Sequence, residues 1–513
     1  MRKGKLNYEK IISLLLAFAL LCGAAALASC GGGNSDVTTD GTKDAIGTGT
    51  QTEGTTNSVE LPDPFAESNI GEEKLPGFEH VDFGGKIFTF EAILNRADWN
   101  CYEVAVVDED ASDSLSMSIT RRNDTICELY NCGIEQITNA DGVLSNDFAT
   151  EQCHVDIGTA MAGLGNLGTG KWYNYHTLGV DLSNPWWDQG FVKDVTVDNR
   201  LYAILGDFSL TSFDATWVLF FNKDVLDQNE KLRGTDLYAL VENGEWTIDK
   251  FTELVQKAKQ DDGDQVMTTG SADIFGYISS TFGIRGLYFG AGGTYVTKTD
   301  DAAGNTTFKH GFNDSASLVA QAVIDIYADE STTIATYTTV GTQFTNGLTL
   351  FAPETLDKAR NWSEAGLKNF GVLPHPVYSE EQLQTVGYKH NVDNHAIYYI
   401  IPKTINYDLS IIADFLEIWG FHSRYIVYPQ FLNLYKYNWT NSEEDAKMID
   451  IIMNTRTYDL GYQLNFGGVD AELIAGVQGG TNIVSQIGAE LGDVVEEKAQ
   501  AYKDWIKSTD PNA

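Results

Sequence analysis

Two apolar periods alternate along the chain. Short β-branched and aromatic runs at 87–90, 155–157, 201–205, 217–221, 370–373 and 397–401 predict strands. Between them, apolar residues recur every three or four positions and predict helices. The clearest helix opens at Thr247, a good N-cap, with Asp249 favourable for the helix dipole, and carries Ile248, Phe251, Leu254, Val255 and Ala258 on one stripe. Others run through Leu318, Ala322, Val323 and Ile326, through Ile412, Phe415, Leu416 and Trp419, and from Ser442 through Met448, Ile449 and Ile452. Strand–helix alternation of this kind predicts α/β layers with mostly parallel sheets. A folded span this long predicts two lobes.

One apolar run fits neither period. From Ile11 to Ser29 it follows Arg2, Lys3, Lys5 and Lys10 and ends in Leu27-Ala28-Ser29-Cys30. Charged, apolar and small-residue regions in that order predict a secretory signal over 1–29; the competing reading is a retained transmembrane anchor, since the run is just long enough to cross a bilayer. Cys30, followed by Gly31-Gly32-Gly33, decides between them, because the junction resembles a lipobox, whose cysteine receives the lipid. The Thr/Gly-rich stretch that follows has almost nothing to bury and predicts a flexible tether over 30–75. The expected location is the outer face of a bacterial cell membrane, held by the lipid alone.

Charge narrows the partners. With 72 acidic against 34 basic residues, the net charge of −38 repels nucleic acid and anionic lipid. The acids are spread along the sequence and read as a solubilising surface. Beyond Cys30, Cys101, Cys127, Cys132 and Cys153 could form up to two disulfides or remain small buried thiols. Their spacing lacks paired zinc knuckles.

Motifs for chemistry are weak. Gly163-Leu164-Gly165-Asn166-Leu167-Gly168-Thr169-Gly170-Lys171 contains G-x-G-x-x-G, but Trp172 stands where a phosphate loop needs Ser or Thr, and no apolar helix follows. A glycine turn accounts for it. His390 and His395 have no third metal ligand in view, and no nucleophile elbow is present. Paired carboxylates for glycoside hydrolysis remain open, although so many acids guarantee accidental pairs. Aromatics outside the periodic stripes say more: Trp99 beside Asp98, Trp186-Trp187 before Asp188, and Trp362 after Asn361. Sugars stack their C–H faces on such rings while acids and amides bind the hydroxyls, with core packing the competing role for each ring.

The stretches "WVLFFNKDVL" from Trp217 and "ENGEWTIDKFTELVQKAKQD" from Glu242 resemble the family 1 extracellular solute-binding proteins, the sugar-capturing lipoproteins of ABC importers. "DLSNPWWDQ" from Asp181, "FGVLPHPVYSEEQ" from Phe370 and "KMIDIIMNTRTYDLGY" from Lys447 fit the same order. The resemblance implies a type II periplasmic-binding fold with a hinge, lobe 1 spanning 81–211 and 391–437 and lobe 2 spanning 212–390 and 438–513. It implies a monomeric, non-catalytic receptor that needs no cofactor and passes a mono- or oligosaccharide to ABC permease subunits. The rivals are a surface glycoside hydrolase or lyase and a polysaccharide-binding adhesin. Carried over loop by loop, Asp98 and Trp99 match the loop after the first strand and Met161 the loop after the second. Asp207 and Asp214 flank the first crossing; Thr281, Phe282 and Arg285 match second-lobe contacts before Gly292-Gly293. Phe351 and Glu354 occupy a stretch where many relatives carry Gly-x-Trp, and Asn465 and Phe466 form the last site loop. With Trp186, Trp187 and Trp362 these residues make up the expected ligand site.

Overall fold

The computed structural model describes residues 69–92, 103–106, 113–138, 142–161, 164, 169–440 and 442–510. Cys30, Asp98, Trp99, Cys101 and most of the glycine-rich stretch at 163–168 lie outside them. Thirteen strands are present among the described residues: β1 (Lys86–Ala92), β2 (Cys132–Thr138), β3 (Ile157–Met161), β4 (Trp217–Asn222), β5 (Phe275–Ser279), β6 (Val296–Asp300), β7 (Thr306–His310), β8 (Thr332–Ile334), β9 (Thr349–Thr355), β10 (Phe370–Leu373), β11 (His390–Asn391), β12 (Ile397–Ile400) and β13 (Arg456–Thr457). They form a four-stranded sheet in the order β12-β3-β1-β2, a five-stranded sheet in the order β10-β4-β9-β5-β8, and two small ribbons, β11-β13 and β6-β7.

The first sheet forms because Phe88 and Phe90 alternate onto one face. There the helix Leu409–His422 covers them: Phe415 stacks on Phe88 at 3.8 Å between centroids, and Trp419 meets Phe90 at 4.8 Å. In the second sheet β4 is buried at all six positions, as its unbroken apolar run requires of a strand covered on both faces. The helix Ile248–Ala258 buries the stripe read from the sequence, and Thr247 Oγ1 caps it by accepting from Lys250 N at 3.3 Å.

Two predicted strands end differently. Residues 201–205 are buried and extended but join no ladder beyond the bridge between Ile204 and Tyr399. The carbonyls of Leu201 and Leu205 instead accept from Tyr175 N at 2.8 Å and Asp188 N at 2.9 Å, so the backbone is satisfied by loops. Strand β3 begins only at Ile157, because the Asp156 carboxylate takes up Thr89 N at 2.8 Å, Lys86 Nζ at 3.0 Å and the Tyr407 hydroxyl at 2.6 Å. Cys127, Cys132 and Cys153 are free, half-buried thiols. Among the described residues no helix is long and apolar enough to cross a membrane.

Among the described residues the chain passes between the two sheets three times: before β4, between β11 and β12, and after the helix Leu409–His422. The first two passages are stitched together. Thr216 bridges Val392, Asp393 N donates to Ala215 O at 2.9 Å, and Trp217 Nε1 donates to Asp393 Oδ2 at 3.0 Å.

Candidate ligand-binding site

In open α/β sheets ligands settle beyond the carboxyl ends of parallel strands. Strands β9, β5 and β8 are parallel neighbours, so Glu354 and Thr355, then Ser280 to Phe282, then Thr336 and Tyr337 emerge on one edge. The amino end of β4 shares that edge through the pairing of Trp217 with Thr355. In the other sheet Met161, the last residue of β3, pairs with Ile397, the first of β12, four residues beyond Asp393. Both carboxyl edges therefore open toward the stitched crossings.

Phe282 and Tyr337 stand on that edge as two of the few large exposed rings among the described residues, 39% and 46% accessible. They stack on each other at 5.4 Å with 17° between planes. Arg285, whose guanidinium carbon lies 5.3 Å from the Phe282 ring centre, is pinned by two 2.8 Å hydrogen bonds to Asp470 and donates to the Tyr462 hydroxyl at 3.1 Å. The Tyr337 hydroxyl lies beside Ser280 and within the field of Glu354, Asp393 and Arg285. Glu354 is buried, and its Oε2 has no hydrogen-bond partner among the described residues. Burial pushes its pKa up to about 8; Lys358 opposes this and Asp357 adds to it. At neutral pH Glu354 is therefore mostly a neutral acid, able both to donate and to accept. Asp357 is itself raised to about 6 by burial, with Asp214 contributing, so three neighbouring carboxyls share the cations Lys358 and Arg360.

The sequence-predicted residues divide among several places. Thr281, Phe282, Arg285 and Glu354 meet at the edge just described. Trp186, Phe351 and Trp362 are turned into the interior. Trp186 Nε1 donates to Glu417 Oε2 at 2.9 Å, Phe351 packs against Phe251 at 5.1 Å, and Trp362 stacks on Phe344 at 4.4 Å. Asp214 is buried, accepting from the Tyr435 hydroxyl and lying 3.4 Å from Arg360. Trp187 and Asp207 line a separate cavity together with Arg424, which donates to Asp207 Oδ2 at 2.7 Å. Asn465 is exposed, with a left-handed φ of 50°, and Phe466 is buried with Tyr502 as its ring neighbour at 6.3 Å. Met161 closes β3.

Sequence reasoning missed Tyr337, Ser280 and Asp393. Tyr337 follows a three-residue strand, too short for a period-2 pattern, and the Thr-rich run around it is the signal the sequence offers. Asp393 was passed over because it lies between two histidines weighed for metal.

Two α/β sheets linked by three passages, with their carboxyl edges open toward the crossings, define the two-lobe periplasmic-binding fold of type II. The sugar-binding protein MalE from Xanthomonas citri superposes with a TM-score of 0.54 at 11% identity, covering 82% of this chain and 99% of that one. A cyclo/maltodextrin-binding protein complexed with maltotetraose superposes with a TM-score of 0.50 at 14% identity, covering 83% and 98%. No protein-family profile and no curated sequence matches the chain.

Proposed function

We propose that the chain is a solute-binding receptor that captures a mono- or oligosaccharide for an ABC importer, gripping it between two lobes. Lobe 1 spans 81–211 and 391–437 and lobe 2 spans 212–390 and 438–513. The observation that carries this reading is the exposed Phe282–Tyr337 pair beside the buried Glu354, whose Oε2 has no hydrogen-bond partner among the described residues. An exposed aromatic face suits the C–H face of a sugar, and a neutral acid with a free oxygen suits a hydroxyl without the desolvation cost of a buried charge. Thr281 and Arg285 complete the second-lobe contacts, and Asp98, Trp99 and Met161 supply the first-lobe side. Asn465 extends the rim. Cys30 carries the lipid after the signal at 1–29 is removed, the tether proposed over 30–75 spaces the receptor from the surface, its last residues packing on the receptor through the turn Asn69–Glu72 and the buried Leu75, and the partners are the permease subunits. The receptor acts as a monomer, without a cofactor and without catalysis. The fold shared with sugar-binding proteins supports this reading.

Calorimetry across a panel of neutral mono- and oligosaccharides tests it. At least one sugar is expected to bind, and the double variant F282A/Y337A to lose at least tenfold in affinity for it. Binding of a peptide or polyamine with no response to any sugar overturns the ligand class. Release of product from a glycan, abolished by E354Q, points instead to a hydrolase.

A further inference from the structure

A second cavity, of about 360 Å³, lies where elements of the two sheets meet, and it shares no lining residue with the edge that carries Phe282, Tyr337 and Glu354. Its volume falls within the range of about 300–1,000 Å³ typical of small-molecule sites. One wall is Trp187, Asp207, Arg424 and Tyr428, held to the first sheet's loops by Arg424, which donates to Pro185 O at 3.0 Å as well as to Asp207. The opposite wall is the end of the helix Glu443–Asn454, through Met453 and Asn454. That helix is keyed to the second sheet by Asp445, which accepts from Val372 N at 2.9 Å and the Tyr238 hydroxyl at 2.7 Å. Arg456 lies between the walls, its guanidinium carbon 4.1 Å from the Phe213 ring centre, paired with Asp188 and donating to Ser212 Oγ at 3.2 Å.

Buried, paired charges build this lining. Arg456 is 8% exposed, and its Nε has no hydrogen-bond partner among the described residues; the same holds for the buried Nε of Arg424. A buried N–H without an acceptor costs about 1–3 kcal/mol, so both guanidiniums are held in place by their ion pairs, Arg456 with Asp188 and Arg424 with Asp207. The charges also cancel: Arg424 faces Asp207, Arg456 faces Asp188, and Asp450 on the rim is bound by Lys436. An anion would meet three carboxylates and a cation two guanidiniums. Hydroxyls fit both, and the Trp187, Phe213 and Met453 side chains supply apolar area for a carbon skeleton.

We infer that this cavity is a second ligand site, for a neutral polyhydroxylated molecule the size of a single sugar or a short polyol. The inference stands on the cavity's own lining and does not need the first edge to bind carbohydrate. Because one wall is held to loops beside the first sheet and the other is keyed to the second, an occupant that contacts both links them, and any ligand that changes their spacing changes its affinity reciprocally.

Titration of the full chain with glycerol, myo-inositol and D-glucose, alongside citrate and spermidine, tests the site. The wild type is expected to bind at least one neutral polyol. That binding should survive in F282A/Y337A and weaken at least tenfold in N454W, where the indole fills the cavity from an exposed rim position. M453W is a second filling variant, and circular dichroism confirms that each is folded. Polyol binding that is lost in F282A/Y337A but kept in both filled variants overturns the inference, as does a response only to citrate or spermidine, or no response to any probe. Because the front site is judged by the double variant and this one by the filled variants, either can fail alone.

Discussion

Phe282 and Tyr337 on one hand, and Trp186, Trp187 and Trp362 on the other, are all aromatic residues outside a regular apolar stripe, but the fold uses them in opposite ways. The first pair stack on each other and remain partly accessible. Each tryptophan is consumed inside: Trp186 by Glu417, Trp187 by the Asp181 carbonyl at 3.0 Å, Trp362 by the Phe344 ring. The acid beside a ring in sequence misleads for the same reason. Asp188 follows Trp187 to cap the helix Gln189–Val195, accepting from Phe191 N at 2.9 Å, and to hold Arg456. Adjacency of a ring and a carboxylate in sequence is therefore not by itself evidence of a site.

The largest expected effect tests the interior half of this contrast. Trp362→Ala removes a nearly buried ring stacked at 4.4 Å, and large-to-small changes of this kind cost about 3–5 kcal/mol. Urea unfolding should show that loss, and calorimetry should show sugar affinity unchanged in whatever fraction remains folded. A variant of normal stability with weakened binding would move Trp362 to the ligand side.

Glu354 gives the next effect, through pH. Its pKa is raised to about 8 from an ordinary 4.5, with burial the main cause, so the folded state keeps a proton that the unfolded chain releases. That contribution is fully present below pH 4.5 and is lost as pH rises toward 8, at up to about 1.4 kcal/mol per pH unit between those limits. Glu354→Gln removes the dependence, so its stability relative to wild type should climb from pH 5 to pH 8 in urea melts at each pH. A constant difference across that window would mean that Glu354 is ionised in the fold. His375 works in the opposite sense. Burial lowers its pKa to about 3 from 6.5, so its contribution is complete above pH 6.5 and is lost as pH falls toward 3. The comparison with Glu354→Gln must therefore be made variant against wild type, not on the wild-type curve alone.

The same contrast explains what the sequence could convey. Strand β4 and the helix Ile248–Ala258 were legible because their local signals, an unbroken apolar run and a capped stripe, are satisfied by any fold that buries them. The edge was half legible. Phe282, Arg285 and Glu354 were reached through the resemblance, but Tyr337 depends on a three-residue strand whose existence is decided by its pairing with β5. Exposure is a tertiary property: nothing in the residues around Trp362 says that Phe344, eighteen positions earlier, will cover it. The 201–205 run shows the limit for secondary structure too, since it gains one bridge to β12 through Ile204 and Tyr399 while Leu201 and Leu205 are satisfied by Tyr175 and Asp188, all distant in sequence.

Two substitutions at Tyr337 then separate what the exposed half contributes. Tyr337→Ala removes both ring and hydroxyl from a 46% accessible side chain whose chief ring neighbour is Phe282. Stability should change little, while sugar affinity drops by about 10- to 100-fold, or ~1.4–2.7 kcal/mol, as expected of an aromatic anchor. Tyr337→Phe keeps the stacking face and removes only the hydroxyl beside Ser280. If the ring carries the interaction, the loss is confined to one neutral hydrogen bond, about 1 kcal/mol or less and under tenfold by calorimetry. Should Tyr337→Phe bind as weakly as Tyr337→Ala, the hydroxyl and its neighbour Glu354 hold the ligand and the stacked pair is only a wall. Should both bind like wild type, exposure alone does not mark a sugar platform in this fold, and the contrast with the buried tryptophans loses its functional meaning.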